Sequence, residues 1–362
     1  MRSKFIPGIQ LCGQFYAQIV QPLLENHFPQ LDYSAALLGD GSETLGYDTP
    51  MSSDHHWGPR VMLFVREADM ALAPHIRQMF AENLPYTFLG YSTHFSEPDP
   101  NDSGVQHLTV VDSGPVNHRV TVQTTRSLLA DHLGLISAEN LFPVDWLSLP
   151  QQKLLTLTAG AVYHDGIDLE VLRKRLSWYP RDVWLYLLAA GWARIGQEEH
   201  LMGRAGFVSD EVGSALIGAR LVRDIMRLCF LMERRYAPYP KWFGTAFKQL
   251  SCGAELYPTL KKALAARTWR SREKYLIPAY EHIARKHNAL SLTDPLPEKT
   301  IQFFGRPFEV IALHGFADAL LAQIRDPQLA KLPIIGGVDQ WSDNTDLLES
   351  QALREKIAGL YL

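Results

Sequence analysis

The residues whose types and spacing could do chemistry cluster in one stretch, LLGDGSETLGYDTPMSSDHHWGPRVMLFV, from Leu37 to Val65. Gly39 and Gly41 bracket an aspartate and lead into Ser42. Glycine turns sharply without steric cost, so such a turn can bring backbone N–H groups against a ligand. With the Ser42 hydroxyl, those groups make a cradle for phosphate oxygens. Further on, Asp54 and His56 stand two residues apart, ahead of the apolar run Val61–Val65. Side chains two apart on an extended strand share a face, so this pair is expected to hold one cation. His55 then points to the other face, and Trp57 reads as core or as a base-stacking ring. The chemistry is phosphate handling beside a metal.

The elements that must position these residues follow from periodicity. Residues 5–27 carry apolar positions at helical spacing, with Pro22 as a kink and Pro29 as a stop. Tyr33–Leu38 and Val61–Val65 read as strands on either side of the chemical stretch. A helix is expected over Ala68–Asn83, shortened if Pro74 marks its first turn. Residues 84–104 are rich in turn formers and read as a loop. His107–Val111 and Arg119–Thr124 face each other across Asp112-Ser113-Gly114-Pro115 and read as a hairpin. Past residue 140 the pattern turns helical, over roughly 146–162, 168–176, 180–200, 210–235, 241–250, 258–268, 271–288 and 306–324. Within it, Val212, Leu216, Ala219, Val222, Met226, Cys229 and Phe230 draw one apolar stripe. Asp210 and Pro180 read as helix starts. The fold class is α+β: an N-terminal mixed sheet with helices over residues 1–140, then an all-α bundle over 141–362.

Bulk properties narrow the function classes. The chain has 362 residues, 46% of them hydrophobic, and a net charge of −4. A weakly acidic surface offers no field for a nucleic acid. No segment reaches the roughly 20 apolar residues of a membrane span, and no secretory leader is visible. Three widely spaced cysteines without a CxxC motif fit thiols in a reducing compartment. A cytoplasmic protein is expected, with no membrane and no nucleic-acid partner.

A Gly-Ser turn followed after about ten residues by an Asp-x-Asp pair is the signature of the nucleotidyltransferase superfamily. The stretch Gly41 to His56 resembles it, with His56 where the superfamily has its second aspartate. The fuller wording, GSETLGYD followed by DHHWGPR, resembles the DUF4037 family of that superfamily. The resemblance implies a DNA polymerase β-like fold and transfer of a nucleoside monophosphate from ATP or another NTP to a hydroxyl. It implies Mg²⁺ or Mn²⁺ held by Asp54 and His56, and phosphates held by Gly39, Gly41 and Ser42. It also implies a lysine from the helical half on the phosphates, for which Lys241 is the candidate. Arg204, in a glycine-flanked stretch read as a loop, reads either as a second phosphate or substrate ligand or as a cap on backbone carbonyls. The acceptor is a small molecule or a protein side chain. A third carboxylate belongs on a later strand, where this chain offers Thr121 and Gln123. Two other readings stay open: a degenerate nucleotidyltransferase that binds a nucleotide or partner without chemistry, and a regulatory role with a partner protein. Comparison of the DHH triplet with manganese phosphoesterases fails for want of further aspartates on preceding strands. Glu198 and Glu199 read as solvated.

Overall fold

The computed structural model describes residues 5–53, 55–102 and 104–361. Asp54 therefore lies outside the described residues. The chain forms two compact units, one made of Met1–Glu139 with Lys153–Ser177, the other of Asn140–Gln152 with Trp178–Leu362. The α+β class holds, with a mixed sheet in the first unit and helices dominating the second. The boundary differs from a single cut at 140, because a second segment returns to the first unit.

The first unit is built on a four-stranded sheet of β1 (Tyr33–Leu37), β2 (Arg60–Val65), β3 (Arg119–Gln123) and β4 (Ala161–Asp165). Their spatial order is β3-β2-β1-β4. β1 runs antiparallel to β2 and β4, while β2 and β3 are parallel. The expected hairpin is thus corrected. Arg119–Gln123 pairs with β2, and Leu108 makes only an isolated bridge to Phe95. Alternation of apolar residues identifies a strand but not its partner. Here the valines at 120 and 122 find their burial beside Val61 and Leu63.

β4 corrects the helix expected over 146–162. Beyond α4 (Thr125–Leu133), the helical pattern breaks into α5 (Pro143–Ser148) and α6 (Gln151–Thr158) around Pro150, and Gly160 then turns the chain into the sheet. Gly160 has φ of 71°, and a Cβ there would meet the carbonyl of Leu37. Only glycine fits.

One sheet face, carrying Tyr33, Ala35, Val61, Leu63, Val65, Val120 and Val122, packs into the core. The helices over it are α1 (Gly8–Phe15), α2 (Gln21–His27) and α3 (Ala73–Asn83), which supply Leu11, Phe15, Leu24, Ile76 and Phe80. A π-helical stretch, Tyr16–Val20, joins α1 to α2 and delivers Pro22 into the first turn of α2. There its missing N–H costs little. Pro74 likewise opens α3, after a 3₁₀ segment over Glu67–Leu72.

α7 (Leu169–Arg175) follows β4 in the first unit; in the second unit α8 (Arg181–Phe207) and α9 (Glu211–Met232) pack along each other, and α9 is capped by Asp210, whose carboxylate accepts from the Gly213 N–H at 2.8 Å. α10 (Pro240–Phe247), α11 (Gly253–Ala265) and α12 (Trp269–Ala289) follow. The apolar stripe on α9 is correct only in its second half. Val212 and Leu216 are 73% and 60% exposed, whereas Val222, Met226, Cys229 and Phe230 are buried. The reason is a polar contact: Arg272 packs where Gly218 has no side chain and donates to Ser214 Oγ at 2.6 Å. No described helix is long and apolar enough to cross a membrane.

Candidate functional site

The Gly39–Ser42 turn leaves β1 at its C-terminal end. Gly39 and Gly41 both have positive φ, at 80° and 131°. A Cβ on Gly41 would lie 2.5 Å from the Glu43 carboxylate, so the glycine is needed for both its backbone and its lack of bulk. The Gly39 N–H donates to the Thr156 carbonyl at 2.9 Å. Arg60, the first residue of β2, donates to the Asp40 carbonyl at 3.0 Å and to Glu43 Oε1 at 2.6 Å. That buried ion pair ties the turn to the strand. Asp48 accepts from the Gly8 N–H at 2.7 Å and from the Trp57 indole at 2.9 Å, anchoring the start of α1. Trp57 is buried, stacks on Phe5 and meets Tyr91 edge-on, so it is core.

The expectation that Asp54 and His56 share one face of a strand needs correcting. β2 begins only at Arg60, and His56 sits before it in a bend with φ of 48°. Period-two alternation applies to extended backbone and not to a left-handed residue. Asp54 itself falls outside the described residues. The His56 N–H donates to the Gln106 carbonyl at 3.0 Å, while Nδ1 is buried with no hydrogen-bond partner among the described residues. Burial first, then the charges of Arg119 and Arg60, push the His56 pKa down, leaving a neutral imidazole at neutral pH.

The sheet face opposite the core carries Arg60 and Met62 on β2 with Arg119, Thr121 and Gln123 on β3. Arg60 and Arg119 are direct register partners. Arg119 Nη1 is buried with no hydrogen bond among the described residues, as is Arg60 Nε. The Arg119 guanidinium lies 5.7 Å from the Phe95 ring centroid. Burial, then Arg60, lower its pKa to about 10, partly opposed by Glu43, so it stays cationic at neutral pH. Thr121 is exposed on this face and offers no carboxylate. Sequence reasoning does not find Arg60 and Arg119 as site residues. The available signal is that both strands open with Arg-Val, which gives matching phases but no evidence that the strands are neighbours.

The described residues do not fit a hard divalent cation. Among them no group of three or more His, Cys, Asp or Glu is placed to hold a metal. Glu43 is engaged by Arg60, His56 offers nitrogen, and two guanidiniums add positive charge.

Lys241 and Arg204 both lie in the second unit. Lys241 is exposed in the first turn of α10, its ammonium 5.0 Å from the Trp242 ring. Arg204 is not in a loop: α8 continues unbroken to Phe207. The glycines around it serve packing. A Cβ on Gly203 would come within 2.6 Å of Phe308, and one on Gly206 would meet Trp269. Glu198 and Glu199 are also corrected, since they are 7% and 3% exposed. Glu198 pairs with Arg194 and Arg220, and Glu199 accepts from the N–H groups of Ile311 and Ala312.

Residues 146–243 match the family model described as "Domain of unknown function (DUF4037)". The match bears out the resemblance over that stretch, which lies in the middle of the chain and not on the Gly-Ser motif that suggested it. Among solved structures, the chain is similar to a nucleotidyltransferase-like protein from Exiguobacterium sibiricum, at 11% identity and a TM-score of 0.31. The alignment covers 82% of this chain and 97% of that one. No curated protein matches.

Proposed function

We propose that the first unit binds the phosphates of a nucleotide at the Gly39–Ser42 turn, with ATP or another NTP as the ligand. The observation that carries this reading is the turn itself. Two glycines with positive φ leave the end of a sheet strand, and Arg60 holds the intervening carbonyl and extends cationic charge beneath. Anions bind where backbone N–H dipoles and cations converge, and Arg60 supplies the cation at this turn.

The geometry supports binding more directly than transfer. On the described residues the site face carries Thr121 and Gln123 where a metal-dependent transferase needs a carboxylate, and His56 stands off the strand. The reading is therefore a nucleotide-binding module of nucleotidyltransferase type. Transfer of a nucleoside monophosphate to a hydroxyl of a small molecule or protein is the second reading. It rests on Asp54, the carboxylate that the motif places beside the turn.

Calorimetric titration with ATP, first in EDTA and then with Mg²⁺ or Mn²⁺, tests both, with pyrophosphate followed in the same samples. Binding in EDTA without pyrophosphate release is the expected result. Metal-dependent binding with pyrophosphate release, lost in Asp54→Ala, would establish the transferase. Absence of nucleotide binding under every condition would overturn the proposal.

A further inference from the structure

We infer that Arg60 and Arg119 form a two-guanidinium clamp that holds the ligand's phosphate groups without a divalent metal. The inference rests on the reading of the Gly39–Ser42 turn as a phosphate site and says what neutralises the phosphate there.

Arg60 and Arg119 face each other directly across the parallel β2–β3 pair, on the side of the sheet away from the core. Like charges at directly opposed positions destabilise a sheet unless a third group compensates them. Glu43 compensates one of them, through Arg60 Nη2 at 2.6 Å. The second guanidinium packs on an aromatic ring, and no carboxylate pairs with it among the described residues. With Glu43 paired to Arg60, the Arg119 guanidinium keeps no ion-pair partner among the described residues, while the turn itself carries the Asp40 carboxylate.

The orphaned atoms point the same way. His56 Nδ1, Arg60 Nε and Arg119 Nη1 are all buried without a hydrogen-bond partner among the described residues. Native structures satisfy most buried polar atoms, and those that stay unsatisfied often mark a missing ion or water. The two guanidinium donors, one of them on the side chain that holds the Asp40 carbonyl, call for a ligand that accepts several hydrogen bonds and carries negative charge. A phosphate oxyanion meets both needs and matches the planar fork of arginine. A divalent cation meets neither, because the field of the two arginines repels it.

The test uses the full chain and inorganic triphosphate as probe, with ATP in parallel, both titrated in EDTA. Arg119→Met removes the charge but keeps a stem against Phe95; Arg119→Lys keeps the charge and loses the fork. Triphosphate is expected to bind the wild type in EDTA. Arg119→Met should weaken it by about 10- to 100-fold, the usual range for charge-assisted hydrogen bonds, and Arg119→Lys by less. If Arg119→Met fails to fold, a clear loss of affinity in Arg119→Lys supports the clamp in its place, and unchanged affinity there overturns it. A merely structural arginine would lower thermal stability and leave triphosphate affinity in the folded fraction unchanged, which overturns the clamp. ATP binding that appears only with Mg²⁺ and ignores Arg119 also overturns it, while the phosphate site stands. No binding of ATP or triphosphate, with or without metal, would remove both.

Discussion

The two units use arginine in opposite ways. In the helical unit, Arg194, Arg220, Arg223 and Arg227 lie among Glu198, Asp224, Asp339 and Asp343. Arg194 and Arg220 share Glu198 at 2.9 and 2.8 Å, and Arg223 reaches Asp343 at 2.8 Å. Arg227 feels Asp339, Asp224 and Asp343 as neighbouring charges. Four cations meet four carboxylates. Single atoms there also lack a direct hydrogen bond among the described residues, Asp224 Oδ2 and Arg227 Nη1, but these two carry opposite charge within one cluster. Beside the glycine turn, Arg60 pairs with Glu43, and Arg119 only feels that carboxylate's charge. A network that closes its own charge serves the fold; one left open has capacity for a ligand.

The largest effect is expected where the closed network is broken. Asp224 is buried, and Asp224→Ala takes one carboxylate from among Arg194, Arg223 and Arg227, leaving Arg194 to Glu198 and Arg223 to Asp343. A stability loss of about 3–5 kcal/mol is expected, read from urea unfolding midpoints at unchanged slope. A loss within the range of an exposed ion pair would mean that the network is not closed in solution.

The second expectation concerns a carboxylate in the same unit that is held by two backbone N–H groups. Burial raises the Glu199 pKa from 4.5 to about 7, against the lowering effect of the Ile311 and Ala312 N–H groups. Between those values the folded chain holds a proton that the unfolded chain releases. Stability from this group is therefore full below about pH 4.5 and falls as pH rises through 7. Glu199→Gln should flatten that slope in thermal melts across the window. An unchanged slope would place the titration elsewhere.

The smallest effect sharpens the contrast at the open cluster. Without ligand, Arg119→Met removes an uncompensated charge, so stability is expected to stay level or rise by up to about 1 kcal/mol. Added triphosphate should stabilise the wild type clearly more than the variant at the same concentration. A variant destabilised as heavily as Asp224→Ala would make Arg119 structural and erase the difference between the two clusters.

How much of the fold and site is legible in the sequence depends on the range of the forces involved. The glycine turn, β1, β2 and the Asp210 cap are local, set by backbone sterics and side-chain hydrogen bonds within a few residues, and sequence reasoning reaches them. The parallel partner of β3, the return of 153–177 to the sheet, and the exposure of Val212 and Leu216 are not legible. Periodicity gives the face of an element and not what packs on it. Gly203 and Gly206 mislead for a related reason, because the same residue that frees a loop also lets Phe308 and Trp269 press against an intact helix.

The sequence by itself determined where the chain turns sharply and which short segments alternate as strands, because φ preference and side-chain phase are properties of neighbours along the chain. Only the tertiary structure decided that Arg60 and Arg119, far apart in sequence, face each other. Strand pairing is chosen by the burial of Val61, Leu63, Val120 and Val122 on the far side of the same sheet. The valines select the register, and the register sets two arginines side by side.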